Sequence, residues 1–270
     1  MIRYKLIALD ADDTFLTDDR RITQRTKDAV AKAMAAGIKV VIATGRAYGA
    51  CKPFIDELNL TEPAIINGGA HIRDYETGKL IYRDEIDNVY VSELIKWADS
   101  AGYHAHIYDN DRIAYAKDNE WAKRYEEYSG LSGAVRPEMV NLDELPPTPK
   151  VVVVAAEETI DMLLPQMREK YGNVLEVLRS RSTLMEFSRL GGGKGKALKY
   201  LAEQYYGFKR EEVMAIGDSE IDISMIEYAG LGIAVANGMQ TAKDVADVIC
   251  PSNEEDGVAQ SIEKYALGEE

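Results

Sequence analysis

The sequence predicts an α/β fold whose parallel-sheet core is split by an inserted α+β module. Three observations carry this. Strand-like and helix-like segments alternate through the N-terminal third, the texture changes from about Glu85, and the alternation returns after Phe187. Alternation of this kind implies right-handed crossovers between parallel strands. Residues 1–84 and 188–270 are therefore assigned to the core and 85–187 to the insertion, a usual domain size.

Lys5–Leu9 reads as a buried strand, and Thr23–Ala36 as a helix opened by a Thr cap and closed by Gly37. Ile38–Ala43 is rich in β-branched residues and reads as a second strand, Tyr48–Leu58 as a helix, and Ala64–Asn67 as a third strand. "HIRDYETGKLIYRDEI" predicts a hairpin turning at Glu76-Thr77-Gly78. In the insertion, a helix near Val91–Ala101 precedes strands "HAHIY" and "IAYA", joined by "DNDR". A helix over about Glu120–Ser129, the proline-rich break "NLDELPPTPK", strand "VVVVAA", a helix near Thr159–Tyr171, and strands "VLEVLRS" and "TLMEFS" complete it. The core resumes with a helix carrying Ala197, Leu198, Leu201, Ala202 and Tyr205 on one face. Strand "VMAIGD", helix Asp222–Tyr228, strand "LGIAV" and helix Gly257–Tyr265 follow.

The 270-residue chain has a net charge of −14 and no Lys/Arg-rich stretch, which argues against a nucleic-acid surface. A small anionic substrate stays open, because a metal ion and a few cations make one pocket locally positive. The longest apolar runs are too short to span a bilayer, and the N-terminus carries no signal-peptide pattern. Cys51 and Cys250 lack metal-ligand spacing and fit a reducing, cytoplasmic setting. Oligomeric state is not legible.

Four polar clusters stand where strands end or the core resumes. Asp10 and Asp12 follow "KLIAL", Thr44-Gly45-Arg46 follows "KVVIA", and Gly217-Asp218 follows "VMAI". Lys194 follows the glycine run, where "TLMEFS" returns the chain from the insertion. Parallel sheets bind ligands beyond their strand carboxyl ends, so these clusters are expected to share one crevice. Singly, each has a plain structural explanation: an Asp-shaped turn, a Thr cap, a solvated lysine, an Asp cap. As a set they suit phosphoryl transfer. Asp10, Asp12 and Asp218 offer the hard oxygen donors magnesium prefers, and an ion would relieve their repulsion. One carboxylate can attack phosphorus, and a second can protonate the leaving alcohol and later activate water. Thr44 and Lys194 would supply a hydrogen bond and a positive charge to the phosphoryl oxygens.

With "DADDT" (Asp10–Thr14), "ATGR" (Ala43–Arg46), "GGGKGKAL" (Gly191–Leu198) and "GDSEID" (Gly217–Asp222) in this order, the sequence resembles the haloacid dehalogenase superfamily. "NGGA" (Asn67–Ala70) and "SNEEDGVA" (Ser252–Ala259) narrow the resemblance to its Cof-type phosphatases, including the sugar-phosphate phosphatases. The resemblance implies a Rossmann-like core with an inserted cap that selects substrates, and a magnesium-dependent phosphomonoester hydrolase working through an aspartyl-phosphate. It implies Asp10 as nucleophile and Asp12 as general acid and base. Magnesium would be held by Asp10, the backbone carbonyl of Asp12 and Asp218, with Asp222 supporting its waters. Ala11, Thr44, Gly45 and Arg46 would bind substrate, and Lys194 would neutralise the phosphate. Small phosphorylated metabolites, sugar phosphates first, are the expected substrates, with nucleotide, flavin and pyridoxal phosphates open. A phosphotransferase or mutase on the same scaffold, or a non-catalytic phospho-ligand sensor, is the alternative.

Two positions depart from the Cof-type pattern: Asp13 stands where most members have glycine, and Ile221 where the subfamily has a ligand-contacting asparagine. "GGGKGK" lacks the spacing and the Ser/Thr of a nucleotide-binding P-loop. His104 and His106 alternate on one strand face without a third ligand and are read as packing or surface residues; His71 has no evident partner in sequence.

Overall fold

The computed structural model describes residues 3–109 and 112–269. The chain forms two compact units: Met1–Gly45, Cys51–Tyr82 and Gly193–Glu270 make one, and Arg46–Ala50 with Arg83–Gly192 the other.

The chain begins with β1 (Leu6–Leu9), α1 (Gln24–Ala35), β2 (Lys39–Ile42), α2 (Tyr48–Glu57), β3 (Ala64–Ile66), β4 (His71–Arg73) and β5 (Leu80–Arg83). The insertion contributes α3 (Asn88–Ser100), β6 (His104–Asp109), β7 (Arg112–Tyr115), α4 (Glu120–Ser129), β8 (Gly133–Val135), β9 (Val151–Val154), α5 (Glu157–Tyr171), β10 (Leu175–Arg181) and β11 (Leu184–Arg189). The chain then returns through α6 (Lys194–Lys199), β12 (Val213–Gly217), α7 (Ile223–Tyr228), β13 (Leu231–Val235), α8 (Gln240–Val245), β14 (Val248–Cys250) and α9 (Gly257–Ser261).

The main sheet of the first unit runs β14-β13-β12-β1-β2, every pair parallel. Leu9, the last residue of β1, lies opposite Ile42 on one side and Ile216 on the other, so the carboxyl ends of these three strands stand side by side, β12 running one residue further. From β1 the chain builds outward through β2, and after the insertion it builds the other way from β12. That reversal between β1 and β12 is where such a sheet opens a crevice for ligands. Leu6 and Ala8 turn to the face packed by α6 and α7, while Ile7 and Leu9 are fully buried on the opposite face. Burial on both faces explains why the strands read as unbroken apolar runs. The predicted hairpin is β4 and β5, extending β3 into a three-stranded sheet, with Gly78 N–H donating to the Asp74 carbonyl at 3.0 Å.

The second unit is a six-stranded sheet, β10-β11-β9-β6-β7-β8, antiparallel except for β7 with β8. Val151 and Val153 pack with residues of α3 and α5 on one face; Val152 and Val154 pack with Tyr125 of α4 on the other. Ala47 joins that second cluster, which places residues 46–50 with this unit.

Three elements have no counterpart in the sequence reading: β8, α8 and β14. Each is short, and Val135 and Ile249 on the two strands are exposed, so no alternation marks them. Tyr205 is not on the buried face expected of it and is 47% exposed. The helix widens over Tyr200–Tyr205, where Tyr206 N–H reaches back five residues to the Leu201 carbonyl, and the extra residue rotates Tyr205 outward. The "DNDR" turn includes residues 110 and 111, which lie outside the described residues.

Candidate active site

The sheet register delivers Asp10 and Asp218 to neighbouring strand ends, and both are buried. Thr14 joins them: its hydroxyl lies 3.1 Å from Asp10 Oδ2 and 3.1 Å from Asp218 Oδ1. A hydroxyl has one proton to donate, so the second carboxylate contact needs a proton or a cation to be favourable. Lys194, at the start of α6, has no exposed surface; its Nζ donates to Asp10 Oδ1 at 2.5 Å and also to Asp222 Oδ1. The other oxygen of Asp222 accepts from Ser219 N–H (3.0 Å), Ser219 Oγ (2.8 Å) and Asp218 N–H (3.2 Å). Asp222 therefore orients both Lys194 and the turn that carries Asp218.

Charge is crowded here. Burial, then Asp222, pushes the Asp10 carboxyl up to about 7 against the pull of Lys194. Burial, then Asp10 and Asp222, pushes Asp218 up to about 10. Burial alone would lower Lys194, but Asp10 and Asp222 outweigh it and hold the ammonium charged. Asp10, Asp218 and Asp222 each offer an oxygen within 4.8 Å of the others. This small set of hard anionic oxygens suits a divalent cation such as magnesium, and one bound there would relieve the repulsion.

Asp12 is half-buried and extended (φ −64°, ψ 133°), and its carboxylate is outside that three-oxygen group. Asp13 follows with φ 57°, in the left-handed region. Glycine takes this conformation most easily and aspartate tolerates it, which explains the departure noted at this position. Ala11 is fully buried below the turn. Thr44, also fully buried, is fixed two residues beyond β2 by its N–H on the Ile65 carbonyl (2.9 Å) and its carbonyl on Gly68 N–H (3.0 Å). Gly45 is half-buried, and a β-carbon there would stand 3.4 Å from Ile221 Cδ1, so an isoleucine covers this glycine. Arg46 groups with the other unit.

Thr14, Ser219 and Gly69 are site residues that the sequence reading did not assign. Thr14 was visible beside the aspartates, but its bridge to Asp218 arises only from strand register. A β-carbon on Gly69 (φ +95°) would lie 2.2 Å from the Gly193 carbonyl carbon and 2.4 Å from Lys194 N. The "NGGA" turn thus needs its second glycine because the peptide that launches Lys194 runs against it, while the first, Gly68, takes a left-handed φ of 71°.

The polar cluster of the insertion is separate chemistry. His104 and His106 are buried, with Nε2 of one 3.3 Å from Nδ1 of the other, and the His106 ring lies 4.1 Å from the Tyr125 ring. They pack, as read from the sequence. His71 Nδ1 meets Asn67 Nδ2 at 3.2 Å. Among the described residues no helix is long and apolar enough to cross a membrane, and Cys51 and Cys250 are both buried.

A sequence profile of the haloacid dehalogenase-like hydrolases matches residues 7–262. The 5-amino-6-(5-phospho-D-ribitylamino)uracil phosphatase YcsE of Bacillus subtilis is 30% identical over 271 residues, covering 97% of this chain and 96% of its own. The pyridoxal phosphate phosphatase YbhA of Escherichia coli is 29% identical over 276 residues, covering 97% and 99%. A haloacid dehalogenase-like hydrolase from Bacteroides thetaiotaomicron superposes with a TM-score of 0.84 at 28% identity, over 97% of this chain and 99% of the other. With the profile spanning nearly the full length and these relatives aligned end to end, the chain belongs to the haloacid dehalogenase-like hydrolases, as one of the Cof-type phosphatases.

Proposed function

We propose that the chain is a magnesium-dependent phosphatase that hydrolyses small phosphomonoesters through an aspartyl-phosphate on Asp10. The observation that carries this is the buried Asp10–Lys194–Asp222 array, tied by Thr14 to Asp218 at adjacent strand ends. Magnesium would be held by the Asp10 and Asp218 carboxylates and the Asp12 backbone carbonyl, with Asp222 behind them. When bound, it offsets the negative charge shared by the acids and the phosphate.

The protein's own residues perform the rest. An Asp10 oxygen attacks phosphorus, so an Asp10–phosphorus bond forms and the bond to the ester oxygen breaks. Asp12 delivers its proton to the departing alcohol. It then takes a proton from water, which attacks the phosphoryl group and frees Asp10 and orthophosphate. Lys194, Thr44 and the Gly45 backbone stabilise the phosphoryl oxygens in the transition state. The Ala11 backbone faces the substrate. Sugar phosphates lead the substrate list, and pyridoxal phosphate and the phosphoribitylamino-uracil compound enter it through the relatives' activities.

The test is phosphate release from a panel of phosphorylated metabolites and from p-nitrophenyl phosphate, with and without magnesium. The expected result is magnesium-dependent release that Asp10→Asn abolishes while the fold persists. Equal release by wild type and Asp10→Asn would overturn the reading.

A further inference from the structure

The acids of the site stand on separate loops, after β1 and after β12, which strand register sets side by side and Thr14 bridges. The loop after β13 touches both. Its Met239 N–H donates to the Asp218 carbonyl at 2.7 Å. Gly238 runs so close that a β-carbon there would stand 2.7 Å from that carbonyl oxygen and 3.0 Å from Asp218 Cα. From the same loop, Asn237 Nδ2 donates to the Asp13 carbonyl at 2.7 Å. The other end of this amide, Oδ1, accepts from Asn253 N–H at 3.0 Å. Asn253 is itself buried, and its side chain donates to the Leu16 carbonyl (3.0 Å) and to Asp18 Oδ1 (3.1 Å). Both ends of the Asn237 amide are therefore used, although the residue is exposed and contributes little to the core.

The carbonyl that Asn237 holds belongs to Asp13, the left-handed residue directly after Asp12. A non-glycine residue leaves that conformation readily unless its peptide is fixed. We infer that Asn237 is a positioning residue: by clamping the Asp13 peptide it holds Asp12 in register with Asp218 for proton transfer. This rests on Asp12 being the general acid and base.

The readout separates proton delivery from general damage. p-Nitrophenolate leaves as a stable anion and needs little protonation, whereas an alkoxide needs a proton as it departs. In magnesium-loaded enzyme, Asn237→Ala is expected to lower kcat/KM about tenfold for the best alkyl phosphate of the panel and about twofold or less for p-nitrophenyl phosphate, a fraction of what general acid catalysis supplies. Asn237→Asp keeps the acceptor for Asn253 but replaces the donor with a carboxylate oxygen that faces the Asp13 carbonyl, and it gives the same skew. Asp12→Asn shows the skew more strongly, and adding Asn237→Ala to it changes the ratio no further. Equal losses on both esters, or no loss in either variant, overturn the inference while the phosphatase reading stands. A wild type that hydrolyses neither ester overturns both.

Discussion

A lysine with no exposed surface, held between two carboxylates, is the residue on which the site's electrostatics turn. Removing one member of a buried ionic group leaves the others uncompensated, at about 3–5 kcal/mol. Lys194→Met is therefore expected to lose phosphatase activity and also to lower the denaturation midpoint of the metal-free protein; an unchanged midpoint would mean that Asp10 and Asp222 do not depend on it. The Gly69 contact predicts a second route to the same damage. Gly69→Ala pushes a β-carbon into the Gly193–Lys194 peptide and destabilises by roughly 2 kcal/mol or more, seen as an earlier urea transition with a lowered kcat. Asp10, Asp12 and Asp218 were legible as residue types after apolar runs, because strand ends punctuate the sequence, and Lys194 was legible after the glycine run that returns the chain to the core. Their pairing was not. Whether Asp222 serves Lys194 or a cation depends on burial and register, which no local pattern encodes.

At the scale of elements, the face of the insertion's sheet that packs α4 carries an unusual polar layer. Burial holds His104 down to about 4, and burial, then His104 and Lys150, holds His106 well below its ordinary value. Both imidazoles are neutral when folded, while the unfolded chain titrates near 6.5. Their contribution to stability is therefore complete above about pH 6.5 and falls as pH drops toward about 4, at up to about 1.4 kcal/mol per unit for each histidine. His106 Nε2 also has no hydrogen-bond partner among the described residues. His106→Phe keeps a ring against Tyr125, removes the orphaned nitrogen and is expected to flatten the stability profile between pH 6.5 and 5. Unfolding midpoints of both proteins across that window check it, and parallel profiles would contradict it. "HAHIY" showed two histidines on one face, but their burial follows from α4 covering that face. Long apolar or periodic segments such as "VVVVAA" declared themselves as elements. β8 and β14, each three residues with an exposed apolar side chain, offered nothing periodic to read.

For the molecule as a whole, a net charge of −14 and a concentrated acid cluster make the metal-free protein electrostatically frustrated. The cluster is a functional liability of the kind that costs stability until its ligand arrives. Magnesium binding only the folded state adds stability by mass action, about 2.7 kcal/mol at a hundred times its dissociation constant. General screening of a polyanion also stabilises, so the comparison has to be made at matched ionic strength in sodium chloride. Asp218→Asn separates the two effects. It removes one of the repelling carboxylates, so the metal-free variant is expected to melt at or above the wild-type midpoint. It also removes a proposed metal donor, so the magnesium-specific rise in midpoint should shrink to the sodium chloride level while catalysis falls. A variant less stable than wild type without metal, yet still shifted by magnesium, would mean that Asp218 is a partner of Thr14 and not a donor to the cation.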